Sequence, residues 1–576
     1  MYRYSSLLLI IVLLTAATLC ACGAGSGPVP DTIYHNGKIV TVDNNFSLAE
    51  AVAIKGDRFL AVGSNREVLA LAGANTRKID LKGRTVIPGM IEAHAHPVGA
   101  ATSELEEEIP DVHTVQELLD WVEAQVKLKG PGEWIVHPKM FATRLRELRP
   151  PSLAKLDRIA PKNPVFFNGS YGGTINSAAM RASGITSRTR NPGVLKDPKT
   201  GRPNGHIRGA AFRLLKRPRD KALSWPEHLD ALEAMIHRYN AVGFTSVTDA
   251  AEPPSGLRQW QDLKRLNRLT ARVYVNIRTD VSGNEEQIVE KLSNLGIYSG
   301  FGDEMVRVGP LKISIDGGIL TGTAYMREPW GTTAKEIYGF QDPTYRGVRN
   351  YTLEELIPIV SAADLIGWKF TTHSTGGGGV DILLEAFDRV AKQNGPRDRR
   401  FSIIHGNFYT PESIKKAARL GVIADAQPAW FYKDADAMLQ ILGKERVRWF
   451  HPYKSMIDAG MMINAGSDHM VKFDSITSIN PYNPFLSMWV AVTRKTERGT
   501  VIVPEEAISR QDAIRMYTIN NAYGSFEEKL KGSIEPGKLA DMVVLSDDIL
   551  TCPEDDIRNI KAQITILGGL IVYQDS

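Results

Sequence analysis

Four of the 12 histidines stand at the carboxyl ends of apolar runs, and two of these share one run. His94 and His96 are separated by a single residue. Because side chains along a strand alternate with a period of two, both imidazoles leave the same face and can meet one ion. His373 and His405 end two later runs. One strand-end histidine is usually a structural hydrogen-bonding residue, but four placed alike predict a divalent-metal site.

Two further residues could complete such a site. Asp468 follows the apolar run Met461–Ala465 and a short polar turn. Lys312 lies inside the apolar run Val306–Ile315, where a charged amine is costly to bury and burial lowers its pKa. Taken alone, Lys312 could instead pair with Asp316 or extend its amine to solvent.

Alternating elements must position these residues. Between 88 and 525, short β-like runs alternate with helical patterns, which predicts βαβ units and a parallel sheet. Eight such units would close a barrel, whose strand ends converge on the mouth where catalysis occurs. The segment of about 97–225 is too long for one connection, so we predict an insertion over the mouth. Besides the first strand, the predicted strands are Trp134–Val136, Val165–Phe167, Phe244–Val247, Arg272–Ile277, Val306–Ile315, Lys369–His373, Phe401–His405, Gly421–Ala424 and Met461–Ala465.

The two ends of the chain differ in sequence pattern from the alternating middle. Residues 31–87 and 526–576 contain short β-rich runs separated by turns such as Asn36-Gly37 and Gly568-Gly569, which are typical of hairpins. We predict that the two ends pair into one β-domain that brackets the barrel.

The first residues predict export. A weakly positive start and the apolar run Leu7–Leu14 are typical of a signal peptide, predicted here over 1–21, and too short to span a bilayer stably. Leu19–Cys22 resembles the bacterial lipobox, so we expect Cys22 to become a lipidated N-terminus, followed by a flexible tether over 22–30. The body would then lie at the cell envelope, periplasm-facing or extracellular, attached to the membrane only by lipid. Plain secretory cleavage and a retained anchor remain alternatives.

Composition excludes several other classes. The 576 residues are 43% hydrophobic and 23% charged, as in an ordinary globular protein. A net charge of +4 gives no support for a nucleic-acid partner. Cys20 and Cys22 fall at the leader and its predicted lipidation site, and only Cys552 lies in the mature body, so no disulfide can form within that body. The sequence leaves the oligomeric state open, a homodimer included.

Several separated motifs resemble one family. Val86–Pro97 resembles the first-strand motif of the amidohydrolase superfamily. The chain from about Asp31 to Gln574 is similar to the subfamily amidohydrolase 3, the YtcJ-like hydrolases. The other motifs that carry this resemblance are Asn191–Gly205, Lys312–Gly317, Ile404–Gly406, Ala426–Pro428, Asn464–Asp468 and Gly532–Asp541.

The resemblance implies an α/β fold, a (β/α)8 TIM-like barrel with a composite β-sandwich from both chain ends, and one or two divalent ions, with zinc expected. His94 and His96 would hold the more buried ion, and His373 and His405 the second. Lys312 would be carboxylated and bridge the two. Asp468 would bind the first ion and act as general base and acid, while a hydroxide activated by the metal attacks a carbonyl.

The chain also departs from the family pattern. After the fifth-strand histidine the subfamily usually reads Ala-Ile-Gly-Asp-Arg-Ala, whereas Ser374–Val380 contains four successive glycines and neither charge. A histidine usual near Tyr171 is absent. We therefore expect a small-molecule substrate different from those of better-known relatives. The candidate substrate contacts are Tyr171, Tyr325, Trp330 and Gln427.

The leading functional hypothesis is hydrolysis of a non-peptide C–N bond in an N-substituted amide, formamide, carbamate or cyclic amide. A single-metal deaminase is an alternative, although that branch tends to place a glutamate where Gly376 stands and does not need Lys312. A catalytically inactive, lipid-anchored binding protein is a second alternative, which metal content would distinguish.

Overall fold

The computed structural model describes residues 27–218 and 222–575. The predicted signal peptide and the predicted lipidation site Cys22 lie outside the described residues, as does most of the predicted tether. Across the two described ranges, no helix is both long enough and apolar enough to cross a membrane.

The centre of the molecule is one sheet of eight parallel strands, each paired with its neighbour in chain order. Backbone pairing of Ala95 with His469, just after the last strand, joins the two edges of the sheet. The strands are Met90–Ala95, Phe244–Glu252, Arg272–Ile277, Val306–Ser314, Phe370–Ser374, Ser402–His405, Ile423–Ala426 and Ile463–Ala465. Their residues are almost all buried, as expected for strands enclosed on both faces. The predicted (β/α)8 barrel is confirmed.

Helices connect the strands on the outside of the barrel. Reciprocal hydrogen bonds between side chain and backbone begin several of them, as between Thr352 and Glu355. The helix Gly377–Asn394 begins inside the glycine run, which forms its first turn. The principal helices around the barrel are Trp225–Ala241, Leu257–Arg265, Glu285–Ser293, Leu353–Leu365, Gly377–Asn394, Pro411–Arg419, Pro428–Val447, Tyr453–Asp458, Pro484–Thr493, Arg510–Tyr517 and Ile519–Gly524.

The long segment after the first strand forms a layer of its own. Two predicted strands, Trp134–Val136 and Val165–Phe167, belong to this layer rather than to the barrel. Its five-stranded sheet consists of Ile135–His137, Val165–Asn168, Gly172–Ile175, Val194–Lys196 and Pro203–Arg208, with helices Val115–Leu128, Leu153–Ile159 and Ser177–Ser183 beside it. Arg144 fixes the layer to the barrel, since its guanidinium donates to both carboxylate oxygens of the buried Asp434, at 2.7 and 3.0 Å.

Strands from both chain ends form two further sheets around a shared apolar core. The four-stranded sheet contains Thr32–His35, Ala51–Lys55, Arg58–Gly63 and Arg77–Asp80. The six-stranded sheet contains Lys38–Val40, Leu48–Ala49, Thr85–Pro88, Met542–Leu545, Ala562–Leu567 and Leu570–Gln574. Antiparallel pairing of Thr85–Pro88 with Met542–Leu545 joins the two chain ends, as expected for the composite sandwich.

Candidate active site

A cavity of about 370 Å³ lies at the carboxyl ends of the barrel strands. All six predicted metal ligands line it: His94, His96, Lys312, His373, His405 and Asp468. The insertion contributes its outer wall through Lys139, Phe141 and Tyr171. Ligand candidates from five barrel-strand ends and residues from the insertion therefore meet at one place.

The tightest cluster joins the first and last strands. His94 and His96 direct Nε2 to Asp468 Oδ1, at 3.4 and 3.3 Å. Their possible ligand atoms lie within 4.8 Å of one another, close enough to share one ion. The backbone amide of Asp468 donates to the carbonyl of His94, at 2.7 Å, which fixes the two strand ends relative to each other.

His373 and His405 each have one ring nitrogen held by the protein. His373 Nε2 lies 3.0 Å from the carbonyl of Gly317, so Nδ1 is the nitrogen that remains for a ligand. His405 Nδ1 lies 2.7 Å from Gln427 Oε1, which leaves Nε2. The two rings lie 4.6 Å apart between centroids. Fixing one nitrogen of a histidine sets the tautomer and orients the other nitrogen toward a metal.

Burial keeps most of these rings neutral. Burial, followed by the charge of Lys312, lowers the pKa of His94 to about 3 and that of His373 to about 4. Burial also holds the pKa of His405 well below its usual range, and neighbouring His373 adds to the effect. A neutral imidazole has the free lone pair that metal coordination requires.

Asp468 remains ionised despite its burial. Burial opposes ionisation, but the hydrogen bonds with His94 and His96 outweigh it and hold the pKa of Asp468 well below its usual range. Asn480 Nδ2 donates to the Asp468 carbonyl at 2.8 Å and contacts Oδ2 at 3.3 Å. Oδ1 therefore faces the imidazoles, whereas Oδ2 has only a weak hydrogen bond and can accept a proton.

Lys312 lies in the fourth strand with its amine at the cavity. Its side chain is buried, and burial lowers the pKa of its amine. The buried carboxyl of Asp425 is its main electrostatic partner, and burial raises the pKa of that carboxyl. A buried lysine with a lowered pKa is more often neutral, and a neutral amine is the nucleophile that carbon dioxide requires.

Four side chains near the site were missed by sequence reasoning. Glu92 accepts the backbone amides of His94 and Ser467, both at 2.9 Å, and so ties the first strand to the last. Asp425 is an acid inside a fully buried strand, which is an unusual place and could have been noticed. Lys139 and Arg278 also line the cavity, and Arg278 directly follows the third strand.

The predicted substrate contacts need correction. Tyr171 lines the cavity, with its ring 5.5 Å from that of His373. Gln427 is fully buried behind His405 and orients that ring instead of facing the cavity. Trp330 donates from Nε1 to the carbonyl of Ala324 inside the core. Tyr325 lies outside the cavity with Arg346 over its ring, 5.1 Å from the centroid.

The glycine run after His373 permits a close approach of backbone. A Cβ atom at Gly376 would lie 2.1 Å from the carbonyl oxygen of Tyr325. The amides of Thr375, Gly376 and Tyr325 all donate to the buried carboxylate of Asp316, at 2.7–3.0 Å. Asp316 thus holds this loop together and is not a partner of Lys312.

A barrel with paired histidines at the end of its first strand, histidines at the ends of the fifth and sixth, and an aspartate after the eighth defines a class of metal-dependent hydrolases. This chain belongs to the amidohydrolase family, whose model Amidohydro_3 matches residues 77–573. It is 28% identical over 561 residues to N-substituted formamide deformylase of Arthrobacter pascens, covering 94% of this chain and 98% of that protein.

Two other relatives agree with this assignment. Putative amidohydrolase YtcJ of Bacillus subtilis (strain 168) is 26% identical over 568 residues, covering 94% of this chain and 99% of that protein. The fold is also that of atrazine chlorohydrolase TrzN from Arthrobacter aurescens TC1, solved in complex with zinc. That structure matches with a TM-score of 0.52 and 15% identity, covering 94% of this chain and 95% of the other. The predicted amidohydrolase family is confirmed.

Proposed function

We propose that this chain hydrolyses the C–N bond of an N-substituted amide, with formamides as the first substrates to test. The convergence of His94, His96, Lys312, His373, His405 and Asp468 on one cavity carries the proposal. The formamide deformylase, related over nearly the full length of both chains, supports the choice of substrate. A carbamate or a cyclic amide would present the same carbonyl and leaving nitrogen.

The donor set fits one or two divalent ions, of which zinc is the candidate. His94, His96 and Asp468 would hold the first ion, since their donor atoms lie within 4.8 Å of one another. His373 Nδ1 and His405 Nε2 would serve a second ion, with carboxylated Lys312 as the shared ligand. The zinc in the atrazine chlorohydrolase structure supports this choice of metal. Bound here, such an ion would polarise a carbonyl and lower the pKa of water.

Asp468 is the proton carrier in this proposal. Its Oδ2 receives the proton of the attacking water and returns it to the nitrogen that leaves as an amine. The hydrogen bonds with His94 and His96 keep Asp468 ionised before the reaction. Asn480 holds the carboxylate in place from the opposite side.

The walls of the cavity exclude water and accept an apolar substituent. Its apolar lining residues include Phe141, Ile319, Leu320, Trp430 and Met470. Trp430 stacks on His405, with centroids 4.4 Å apart and planes inclined by 14°. The substituent on the amide nitrogen would contact these apolar side chains while the carbonyl faces the metal ligands.

We also propose that the protein is exported and lipid-anchored at the bacterial cell envelope through Cys22. The leader sequence supports this location. Cys22→Ala should release the protein into the soluble fraction, while Cys20→Ala, two residues away, should leave it in the membrane fraction. Equal fractionation of the two variants would contradict anchoring at Cys22.

The catalytic proposal is tested by amine release. The purified protein, loaded with zinc, should release amine and formate from N-benzylformamide, and the same protein treated with chelator should not. If zinc-loaded protein cleaves no formamide, carbamate or cyclic amide, then the proposed activity is wrong.

A further inference from the structure

Two cations line the cavity without a carboxylate beside them. Lys139, from the insertion, places Nζ at the hydroxyl of Ser170, and Arg278 follows the third barrel strand. Among the described residues, no carboxylate oxygen lies within 4.0 Å of either cationic group. Other arginines near the barrel mouth do have such partners, as Arg144 does in Asp434 and Arg327 in Asp381.

Both cations line the same cavity as the six predicted metal ligands. The positive charge of Arg278 contributes to the lowered pKa values of Lys312 and His373, although burial contributes most. The carboxylate of Asp468 raises the pKa of the Lys139 amine, whereas burial lowers that pKa by more. Lys139 and Arg278 therefore lie within electrostatic reach of the metal ligands while approaching the cavity from different parts of the chain.

A bound substrate would displace water from the half-buried Lys139 and from the part of the exposed Arg278 that lines the cavity. Losing hydration without gaining a partner is costly, whereas hydrogen bonds between oppositely charged groups are about twice as strong as neutral ones. Asp468 is not that partner in this structure, because its carboxylate contacts His94, His96 and Asn480 and forms no ion pair with either cation among the described residues. The missing partner is therefore expected on the ligand.

We propose that the substrate carries an anionic group, a carboxylate, which Lys139 and Arg278 bind while the scissile amide faces the metal ligands. The inference rests on the proposed function and specifies its substrate class. Arg278 offers the planar fork that matches a carboxylate, and Lys139 offers a second, pointlike charge. The apolar walls accept the remainder, so an N-acylated compound with an apolar substituent and a carboxylate would use every part of the cavity.

Two formamides isolate the carboxylate. N-formylphenylalanine and N-formylphenethylamine share the formamide and the phenyl group, and differ only by the carboxylate. The zinc-loaded wild-type protein should have the higher kcat/KM for the acid, tested as both enantiomers. The ratio of the two kcat/KM values measures recognition of the carboxylate, because losses common to both substrates cancel.

Removing either positive charge should lower that ratio. For Lys139→Gln and for Arg278→Gln we expect a fall of about tenfold or more, as for the loss of a hydrogen bond to a charged group. Lys139→Arg and Arg278→Lys keep the charge and should keep more of the ratio. Lys127→Gln, on an exposed helix face, is the control and should not change it. An unchanged ratio in both glutamine variants would overturn the inference.

Binding separates this inference from the proposed activity. If zinc-loaded protein cleaves neither formamide, the proposed activity fails for this class, but calorimetry with N-formylphenylalanine still tests the anion site. A Kd that weakens about tenfold in both glutamine variants and not in Lys127→Gln supports the site. A Kd unchanged by both variants, or no binding to wild-type protein, contradicts it.

Discussion

Two groups of buried charges in the same barrel differ in how fully they are paired. The lower group lies on the side of the barrel away from the mouth and consists of two ion pairs, Arg272 with Asp541 and Lys531 with Glu527. Arg272 donates to both carboxylate oxygens of Asp541, at 2.7 and 2.9 Å. Lys531 lies 3.0 Å from Glu527. In the mouth group, at the cavity, the side-chain amine of Lys312 donates no hydrogen bond to any of the described residues. His94 Nδ1 is buried without a hydrogen-bond partner there.

The difference separates structural charges from binding charges. A buried charge whose hydrogen bonds are complete holds elements together, as Arg272 joins a barrel strand to the start of a C-terminal strand. Buried groups with incomplete bonding are retained at a cost, which is explained when a ligand completes the bonding. We therefore expect substitutions in the mouth group to change metal and activity, and substitutions in the lower group to change stability.

The largest expected effect in the mouth group belongs to Asp468. Asp468→Asn keeps the size of the side chain but removes the proton-accepting oxygen, so we expect kcat to fall by about 10²–10⁴-fold. Much of the metal should remain, because His94 and His96 are intact. Steady-state kinetics and metal analysis on one preparation check both points. A fully active variant would exclude Asp468 as the proton carrier.

Lys312 should affect metal and activity together. Lys312→Ala removes the proposed shared ligand, and added bicarbonate should not restore either property. Lys369→Ala is the matched control, since Lys369 is also a buried strand lysine but bonds the carbonyl of Gly524 instead of facing the cavity. We expect the control to lose stability and keep its metal. The same metal content in both variants would contradict the role of Lys312.

Arg272 should affect stability alone. Arg272→Met leaves the buried carboxylate of Asp541 without its partner, and breaking a buried pair in this way costs about 3–5 kcal/mol in the free energy of unfolding. Denaturant unfolding measures the loss. Metal content per folded chain should equal that of the wild type. A variant of normal stability that had lost metal would erase the distinction between the two groups.

The smallest effect is expected where Gln427 orients His405. Gln427→Leu removes the acceptor of His405 Nδ1, and losing such a supporting hydrogen bond typically weakens metal binding about 10–100-fold. Trp330→Phe is the control, since Trp330 lies in the core outside the cavity. Competition with a fluorescent zinc chelator measures both. Equal zinc affinities in the two variants would show that Gln427 does not support the site.

The sequence predicted the barrel and the position of its site because strand periodicity and strand ends are local features. His94 and His96 share a face through the period of two, and His373, His405 and Asp468 each follow an apolar run. The pairing of Thr85–Pro88 with Met542–Leu545 was expected from the short β-rich runs at both ends of the chain. The precise boundaries of the sandwich and barrel domains stay predictions.

Loop residues could not be placed in the same way. Trp330 and Tyr325 belong to a long loop whose path depends on Asp316 and on the glycines after His373, which are distant contacts. Gln427 was assigned to the substrate because nothing local shows that its amide faces His405. Lys139 was missed since only the folded insertion brings it over the barrel.

Metal content measured together with activity tests the central claim most directly. Protein purified without chelator should contain one or two equivalents of divalent metal per chain, as measured by inductively coupled plasma mass spectrometry. Its release of amine from a formamide should disappear with chelator and return with zinc. Metal-free protein that cleaves the formamide at the undiminished rate would contradict the account, as would protein that binds no divalent ion when zinc is supplied.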